Sequence, residues 1–168
     1  MRQLTERPDL GVSSALRIWA RIGREELRLG RLGAAKLASD RAAELLASEA
    51  GESGASPIAQ LGVETLRARI GQAAGASRDE RSEQLAGLKS GLWSILEEWD
   101  QSDLREGGLG FLDFALRREV VVASVGFTAE LEGQAPAIEL LMEVQKRGSL
   151  DRTLGLEAPS LEAIRSTL

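Results

Sequence analysis

Residues 111–131, FLDFALRREVVVASVGFTAEL, decide whether this chain is all-helical or mixed. The run 120–125, VVVASV, has the β-branched composition of a buried strand. Apolar residues also recur through the stretch at helical spacing, at Leu112, Leu116, Val120, Ala123, Phe127 and Leu131. The sequence offers no second strand-like run, and an unpaired strand would leave its backbone groups without hydrogen bonds. We therefore predict a helix here and an all-α protein.

The helix predicted upstream, over residues 77–99, has the strongest signals. Ser77 and Glu80 have the spacing of a capping box, in which the hydroxyl and the carboxylate accept bonds from free backbone N–H groups. Apolar residues then follow at intervals of three and four, namely Leu85, Leu88, Leu92, Ile95 and Trp99, with Leu96 beside them. This pattern is typical of an amphipathic helix with one buried face.

Serine, proline and glycine mark the ends of two further helices. Ser56 and Pro57 predict the start of one helix, which ends in the glycine-rich stretch 71–75. Pro136 predicts the start of another, closed by Gly148 after two basic residues.

The first part of the chain is predicted to be helical from about residue 14 to residue 50, capped by Ser13 or Ser14. We expect a break near Ser39 and Asp40, which would divide it into two helices. A glycine-containing turn at 100–110 and a last short helix at 161–168 complete the prediction. The expected fold is one all-α domain, residues 1–168, built as an irregular bundle of five to seven helices, two of them long.

Missing residue types exclude most catalytic chemistry. The 168 residues include no Cys, His, Tyr or Asn. Disulfides, zinc sites built from Cys or His, Cys nucleophiles and His-based triads are therefore excluded. The remaining side chains form no phosphate-binding loop, nucleophile elbow or Ser-x-x-Lys motif. We predict no catalytic residue, no metal site and no cofactor.

The net charge of −5 is divided unevenly along the chain. Residues 1–36 hold eight basic side chains against four acidic ones, and residues 37–168 hold 13 against 22. The sequence thus predicts a basic N-terminal helical arm or hairpin (1–51) and an acidic helical body (57–168). Such polarity suits docking to an acidic protein partner or self-association.

Five arginines form the most specific pattern in the sequence. They are spaced by four, three, four and three residues, so they would share one face of a helix: Arg17, Arg21, Arg24, Arg28 and Arg31. The pattern is typical of a solvated face on which Glu25 pairs with a neighbouring arginine. It also suits docking to an acidic partner, contact with nucleic-acid phosphates or binding to a membrane surface. On the opposite side, Gly23, Gly30 and Gly33 would allow a second helix to approach closely.

Two further features of the sequence are candidate sites. The acidic group Glu97, Glu98, Asp100, Asp103 and Glu106 lacks the pattern of a calcium loop and is typical of a solvated helix end. Trp93 lies at the margin of the apolar stripe of its helix, where a half-buried ring is expected. Packing is its simplest role, and contact with a partner chain is the alternative.

Three functions remain compatible with these features. The first is a non-enzymatic protein–protein interaction or assembly module: an adaptor, a small chaperone or a structural subunit. The second is a nucleic-acid-associated regulator that uses the arginine face, and the third is a carboxylate and Mg²⁺-dependent enzyme acting on a phosphorylated substrate. The start of the chain lacks the pattern of a secretory signal, and the longest uncharged stretch is too short to span a bilayer. We therefore expect a cytoplasmic protein.

Overall fold

The computed structural model describes residues 11–48, 54–99 and 110–147, and within these ranges every regular element is an α-helix. The six helices of this part of the chain are α1 (Val12–Arg28), α2 (Leu32–Leu46), α3 (Pro57–Ala73), α4 (Arg78–Trp99), α5 (Gly110–Leu131) and α6 (Gln134–Arg147). Helices α4 and α5 are the longest, with 22 residues each. The prediction of an all-α protein with five to seven helices, two of them long, is confirmed.

The stretch that combined helix and strand signals is helical throughout, as α5. Most of its buried apolar side chains follow helical spacing, namely Leu116, Val120, Ala123, Phe127 and Leu131, and Val121 is buried beside them. Two hydroxyl side chains, Ser124 and Thr128, are buried on the same helix, and Thr128 donates a 2.7 Å hydrogen bond to the carbonyl of Ser124. The periodic apolar face therefore outweighs the strand propensity of the valine run.

The break in the N-terminal segment lies at Gly30, and its predicted position at Ser39 and Asp40 is wrong. Gly30 has φ of 72°, and the amides of Gly30 and Arg31 bond back to the carbonyls of Leu27 and Glu26. This Schellman motif requires a left-handed residue, which glycine supplies without strain. Residues 39 and 40 instead continue α2, where Ser39 is buried.

The predicted serine cap of the first helix is also wrong. Helix α1 begins at Val12 after Gly11, without a side-chain cap. Ser13 instead connects α1 to the residues before α3: its hydroxyl donates to the carbonyl of Gly54 (3.0 Å) and accepts from the amide of Ser56 (2.8 Å).

The capping box of α4 is confirmed. The amide of Ser77 donates to Oε2 of Glu80 at 2.8 Å, and the amide of Glu80 donates to Oγ of Ser77 at 3.3 Å. Helix α3 begins at Pro57 as predicted and ends before Gly75, which has φ of 76°.

The last described helix, α6, begins two residues earlier than predicted, at Gln134. Gly133, with φ of 106°, separates it from α5. Pro136 therefore lies in the first turn, where its missing N–H costs no helical bond. The predicted turn at 100–110 includes Gly110, which instead begins α5. The rest of that turn, Gly148 and the predicted helix at 161–168 lie outside the described residues.

The chain divides into two compact units, Met1–Gly91 and Leu92–Leu168. In the first unit α1, α2 and α3 all pack against one another. In the second, α5 packs against α6. The single-domain organisation stays a prediction.

The core of the first unit is built around small residues. Leu16 of α1, Ala42 of α2, and Ala59 and Val63 of α3 are fully buried together, with Trp19 packed against them. Short side chains allow the three helix backbones to approach closely.

Helices α1 and α3 run parallel, because their contacts occur in the same order along both. Ser13 meets Ser56 near the start of the pair, and Gly23 meets Leu66 further along. A Cβ atom at Gly23 would overlap the buried side chain of Leu66. The predicted close approach on the glycine side is therefore confirmed at Gly23. It is wrong for Gly30, which forms the turn, and for Gly33, which lies exposed on α2 with open space around it.

None of the helices in the described ranges is both long and apolar enough to cross a membrane.

Candidate functional site

A groove lies between the C-terminal parts of α1 and α3, with a volume of about 570 Å³. We call it the arginine groove. Its lining residues are Arg21, Arg24, Glu25, Leu27 and Arg28 from α1, and Arg69, Gln72 and Ala73 from α3.

The groove forms where the contact between the two helices changes character. Up to Gly23 and Leu66 the residues packed together are apolar and close the space between the helices. Beyond them, the residues of α1 that face the groove are mostly long and charged. On α3 the groove is lined by Arg69 and, one turn later, by Ala73. Charged side chains keep their ends near solvent, so they do not fill the space as the leucine does.

Two half-buried guanidinium groups, those of Arg24 and Arg69, face this groove from the two helices. Burial lowers the pKa of Arg24, and the positive charges of Arg69 and Arg21 lower it further, while Glu25 acts in the opposite direction. Burial also lowers the pKa of Arg69. An arginine remains protonated despite such shifts, so both groups keep their charge and repel each other.

The groove has few carboxylates to compensate this charge. Four arginines and one glutamate line it, and that glutamate, Glu25, bonds Nε of Arg28 at 2.9 Å. Arg21 and Arg69 pair with no carboxylate among the residues that the structure describes. The arrangement can therefore bind an anion.

The structure separates the five arginines that the sequence placed on one helix face. Four of them lie on α1, and three of these, Arg21, Arg24 and Arg28, line the groove. Arg17 is half-buried on α1 but does not line it. The placement of Arg31 on the same helix is wrong, because Gly30 ends α1 before it. The exposed Arg31 side chain pairs with Glu26 at 3.5 Å.

Arg69 and Gln72 belong to the groove and were missed by the sequence reasoning. Both lie near the end of α3 and have no special spacing of their own. Only the parallel packing of α3 against α1 brings Arg69 to Arg24. One feature of the sequence could have indicated the groove: Arg24 and Arg69 both lie in the C-terminal halves of their helices.

The other candidate residues remain apart from this groove. Trp93 is half-buried on α4, as expected from its position, and its contact with a partner stays a prediction. The side chains of the acidic group at 97–106 lie outside the described residues. In the described ranges no three acidic side chains converge to form a metal site.

Comparisons with known proteins identify no relative. The chain matches no family model, and no curated protein or solved structure is significantly similar to it.

Proposed function

We propose that the protein is a non-enzymatic helical interaction module, such as an adaptor or an assembly subunit, and that the arginine groove docks an acidic segment of a partner protein. The observation that carries this proposal is the presence of two half-buried like charges, Arg24 and Arg69, across one open groove. The proposal also rests on the residue types that the sequence lacks, which exclude most catalytic chemistry.

The energetics of the groove favour an acidic occupant. A charge that is withdrawn from water is unfavourable unless a counter-charge pairs with it. Arg69 has no carboxylate partner among the described residues, and Arg24 lies against like charges. A carboxylate that enters the groove would supply Arg69 with a counter-charge that the described residues do not provide. Hydrogen bonds between arginine and a carboxylate are stronger than neutral ones, and partial burial protects them from salt.

The lining suits a segment of protein chain. Leu27, Ala73 and the aliphatic stems of the arginines offer apolar surface beside the charged groups. A segment that alternates acidic and apolar residues could therefore place carboxylates on the guanidinium groups and methyl groups on Leu27.

Nucleic acid is less well matched to this molecule. A long polyanion gains affinity from each phosphate that it neutralises, so it needs an extended basic surface. Here the local basic surface is four arginines in one groove, and the whole chain carries a net charge of −5. A chain with a net negative charge repels a long polyanion as a whole.

The test is fluorescence anisotropy with labelled peptides of about 12 residues, a length that can cross a groove between two helices. One peptide alternates Glu with Leu and Ser, and the control peptide has Gln in place of Glu. The groove variant combines Arg24→Gln with Arg69→Gln. The matched control combines Arg31→Gln with Arg67→Gln, because both residues are exposed, lie on the same part of the chain and do not line the groove.

We expect the acidic peptide to bind the wild type and the matched control, and to lose at least about tenfold in affinity on the groove variant, equivalent to about 1.4 kcal/mol. The Gln peptide should not bind. Equal losses in the two variants would mean that net charge alone governs binding, and no binding of the acidic peptide by the wild type at low salt would refute the proposal.

A further inference from the structure

One face of α2 is open to solvent. The helix packs against α1 and α3 and buries Ala35, Ala38, Ser39 and Ala42. Its opposite face carries Leu37, which is 60% exposed and is the most exposed large apolar side chain among the residues that the structure describes. A single exposed leucine is ordinary on a protein surface, so its meaning depends on the residues around it.

The residues on either side of Leu37 differ in size. About one turn before it lie two small exposed residues, Gly33 and Ala34, and a Cβ atom at Gly33 would meet nothing within 4 Å. After it lies a bulky pair, in which Arg41 bonds Glu44 at 2.7 Å. At about 100° per residue, these four positions all lie within about 60° of Leu37 around the helix. The open face therefore has a low half before Leu37 and a raised half after it.

Two charged residues lie along one edge of this face. Lys36 and Asp40 are both exposed, and neither pairs with an opposite charge in the described part of the chain. Helical spacing places them on the same edge, with the positive charge before residue 38 and the negative charge after it. The edge is therefore charged in opposite senses on the two sides of that level.

We infer that this face of α2 packs against the same face of a second copy of the chain, with the two helices antiparallel about a two-fold axis close to Leu37. The surface is separate from the arginine groove, so the inference does not depend on the proposed function.

Charge complementarity is the first reason. A two-fold axis places residue i of one copy opposite residue j of the other, and residue j opposite residue i. Antiparallel helices that cross at the level of residue 38 therefore place Lys36 opposite Asp40 of the second copy, and this pair occurs twice. In a parallel pair, Lys36 would lie level with Lys36 and Asp40 with Asp40. Only the antiparallel arrangement brings unlike charges level with each other.

Shape is the second reason. The same axis places the raised half of each helix over the low half of the other, with Arg41 over Ala34 and Glu44 over Gly33. The aliphatic stems of the long side chains then fill the space that the small residues leave. The two copies of Leu37 meet at the centre and withdraw their apolar surface from water. A parallel pair would instead set the two raised halves against each other and leave a gap between the low halves.

The contact is small, so the dimer is weak. A stable interface buries at least about 1,200 Å² in total, whereas this one uses a single face of a helix of 15 residues. We expect a dissociation constant between about 10 µM and about 1 mM. At about 1 µM the chain is then a monomer, and Leu37→Ala leaves the unfolding of that monomer unchanged.

The first experiment is sedimentation equilibrium of the full chain between about 5 µM and about 1 mM. We expect the wild type to show a monomer–dimer equilibrium. Leu37→Ala, Lys36→Glu and Asp40→Lys should each weaken it at least about tenfold, because the first removes the central contact and each reversal turns two attractions into two repulsions. The matched controls are Lys146→Glu and Glu83→Lys, which make the same changes of charge at exposed positions outside α2 and should not alter it.

A mixture of the two charge variants tests the axis. Lys36→Glu carries two negative charges on the edge and Asp40→Lys carries two positive charges, so each variant repels its own kind. Mixed in equal amounts, they should form a heterodimer at least as stable as the wild-type dimer. A parallel pair already sets like charges level, so it would lose nothing in the single variants. Unchanged dimers of the single variants, or no recovery in the mixture, would overturn the antiparallel axis.

The absence of cysteine from the chain allows the axis to be located directly. Leu37→Cys places two thiols next to each other across the axis, where the short reach of a disulfide can be met. Under mild oxidation it should form a disulfide-linked dimer at least about tenfold faster than Glu83→Cys, which lies on an exposed position of α4. Equal rates would mean that Leu37 does not lie near a two-fold axis.

The outcomes separate this inference from the proposed function. If the wild type stays a monomer up to about 1 mM, the inference is overturned and the arginine groove is unaffected. If the Arg24→Gln, Arg69→Gln variant loses self-association while Leu37→Ala retains it, an acidic segment of one copy binds the groove of another, and the α2 contact is wrong. Equal weakening by the matched controls would mean that net charge alone governs association. Circular dichroism of each variant establishes that the helices are intact.

Discussion

The two ends of the contact between α1 and α3 are built in opposite ways. Near its start, Ser13 bonds the backbone before α3, and Leu16 packs with Ala59 and Val63 in the core. Near its end, Arg24 and Arg69 place like charges across an open groove. One end is closed by contacts that stabilise the fold, and the other is an open groove lined by like charges on two helices. Groups whose pKa is shifted by burial and neighbouring charge are frequent at functional sites, so this difference directs attention to binding at the open end.

Loss of apolar contact should have the largest effect. Leu66 is fully buried against Gly23, so Leu66→Ala should lower the free energy of unfolding of the first unit by about 2–5 kcal/mol. Urea denaturation followed by the fluorescence of Trp19 measures it, in a background with Trp93→Phe and Trp99→Phe. Leu37→Ala is the control, because Leu37 is 60% exposed on α2 and should matter little. A similar loss of stability in Leu66→Ala and Leu37→Ala would mean that the apolar contact of Leu66 has no special part in closing this end.

The hydrogen bonds at the closed end should have the next largest effect. Ser13→Ala removes the hydroxyl that serves both the Gly54 carbonyl and the Ser56 amide, and should cost about 1–3 kcal/mol. Ser14→Ala is the neighbouring control and should be neutral or slightly stabilising, because alanine favours the helix. The same urea denaturation measures both. If Ser14→Ala is the more harmful change, the hydroxyl of Ser13 does not hold this end closed.

The capping box of α4 offers a smaller effect with a pH signature. Ser77→Ala should reduce stability by about 1 kcal/mol, the usual contribution of an N-cap serine. Hydrogen bonds from Ser77 hold the pKa of Glu80 below its ordinary value. The stabilisation from Glu80 is therefore present above the ordinary carboxyl range and is lost as the pH falls through the lowered pKa.

The measurement for this cap compares Glu80→Gln with wild type by urea denaturation at about pH 7 and at about pH 3. The difference in stability should shrink at the lower pH. Glu83→Gln, on the exposed side of the same helix, is the control. If the stability difference between wild type and Glu80→Gln grows on acidification, the pKa of Glu80 is not lowered in the folded protein.

The open end should give the smallest effect, and one of opposite sign. Arg69→Gln removes a half-buried charge that repels Arg24, so it should raise stability slightly, by about 0.5 kcal/mol after screening by solvent. Added salt should reduce this gain. Arg67→Gln, two residues away and exposed, is the control. A clear destabilisation by Arg69→Gln alone would mean that the groove end stabilises the fold as the closed end does.

The sequence predictions are right where an interaction joins residues that are close along the chain, and wrong where it depends on distant helices. The cap of α4 was predictable because Ser77 and Glu80 are neighbours on one turn. The break after α1 was predicted at Ser39 and Asp40 because these residues carry a local capping signal. The chain instead turns at Gly30, which has a positive φ. Ser39 is instead buried within α2, and this burial depends on α1 and α3, which the local sequence does not report.

The candidate site shows the same division. Arg21, Arg24 and Arg28 were identified from spacing along one helix. Arg31 was included wrongly because the spacing rule assumes that the helix continues past Gly30. Arg69 was missed because its importance comes from facing Arg24 and not from any pattern within α3.

The sequence by itself determined the all-α class, the two long helices, the capping box and the absence of imidazole and thiol chemistry. These properties depend on residue types and on interactions within a few positions along the chain. Only the tertiary structure decided the burial of Ser39 within α2, the parallel pairing of α1 with α3 and the position of Arg24 opposite Arg69. Those features depend on which faces exclude water together, and that is a property of helices distant in sequence that pack against one another.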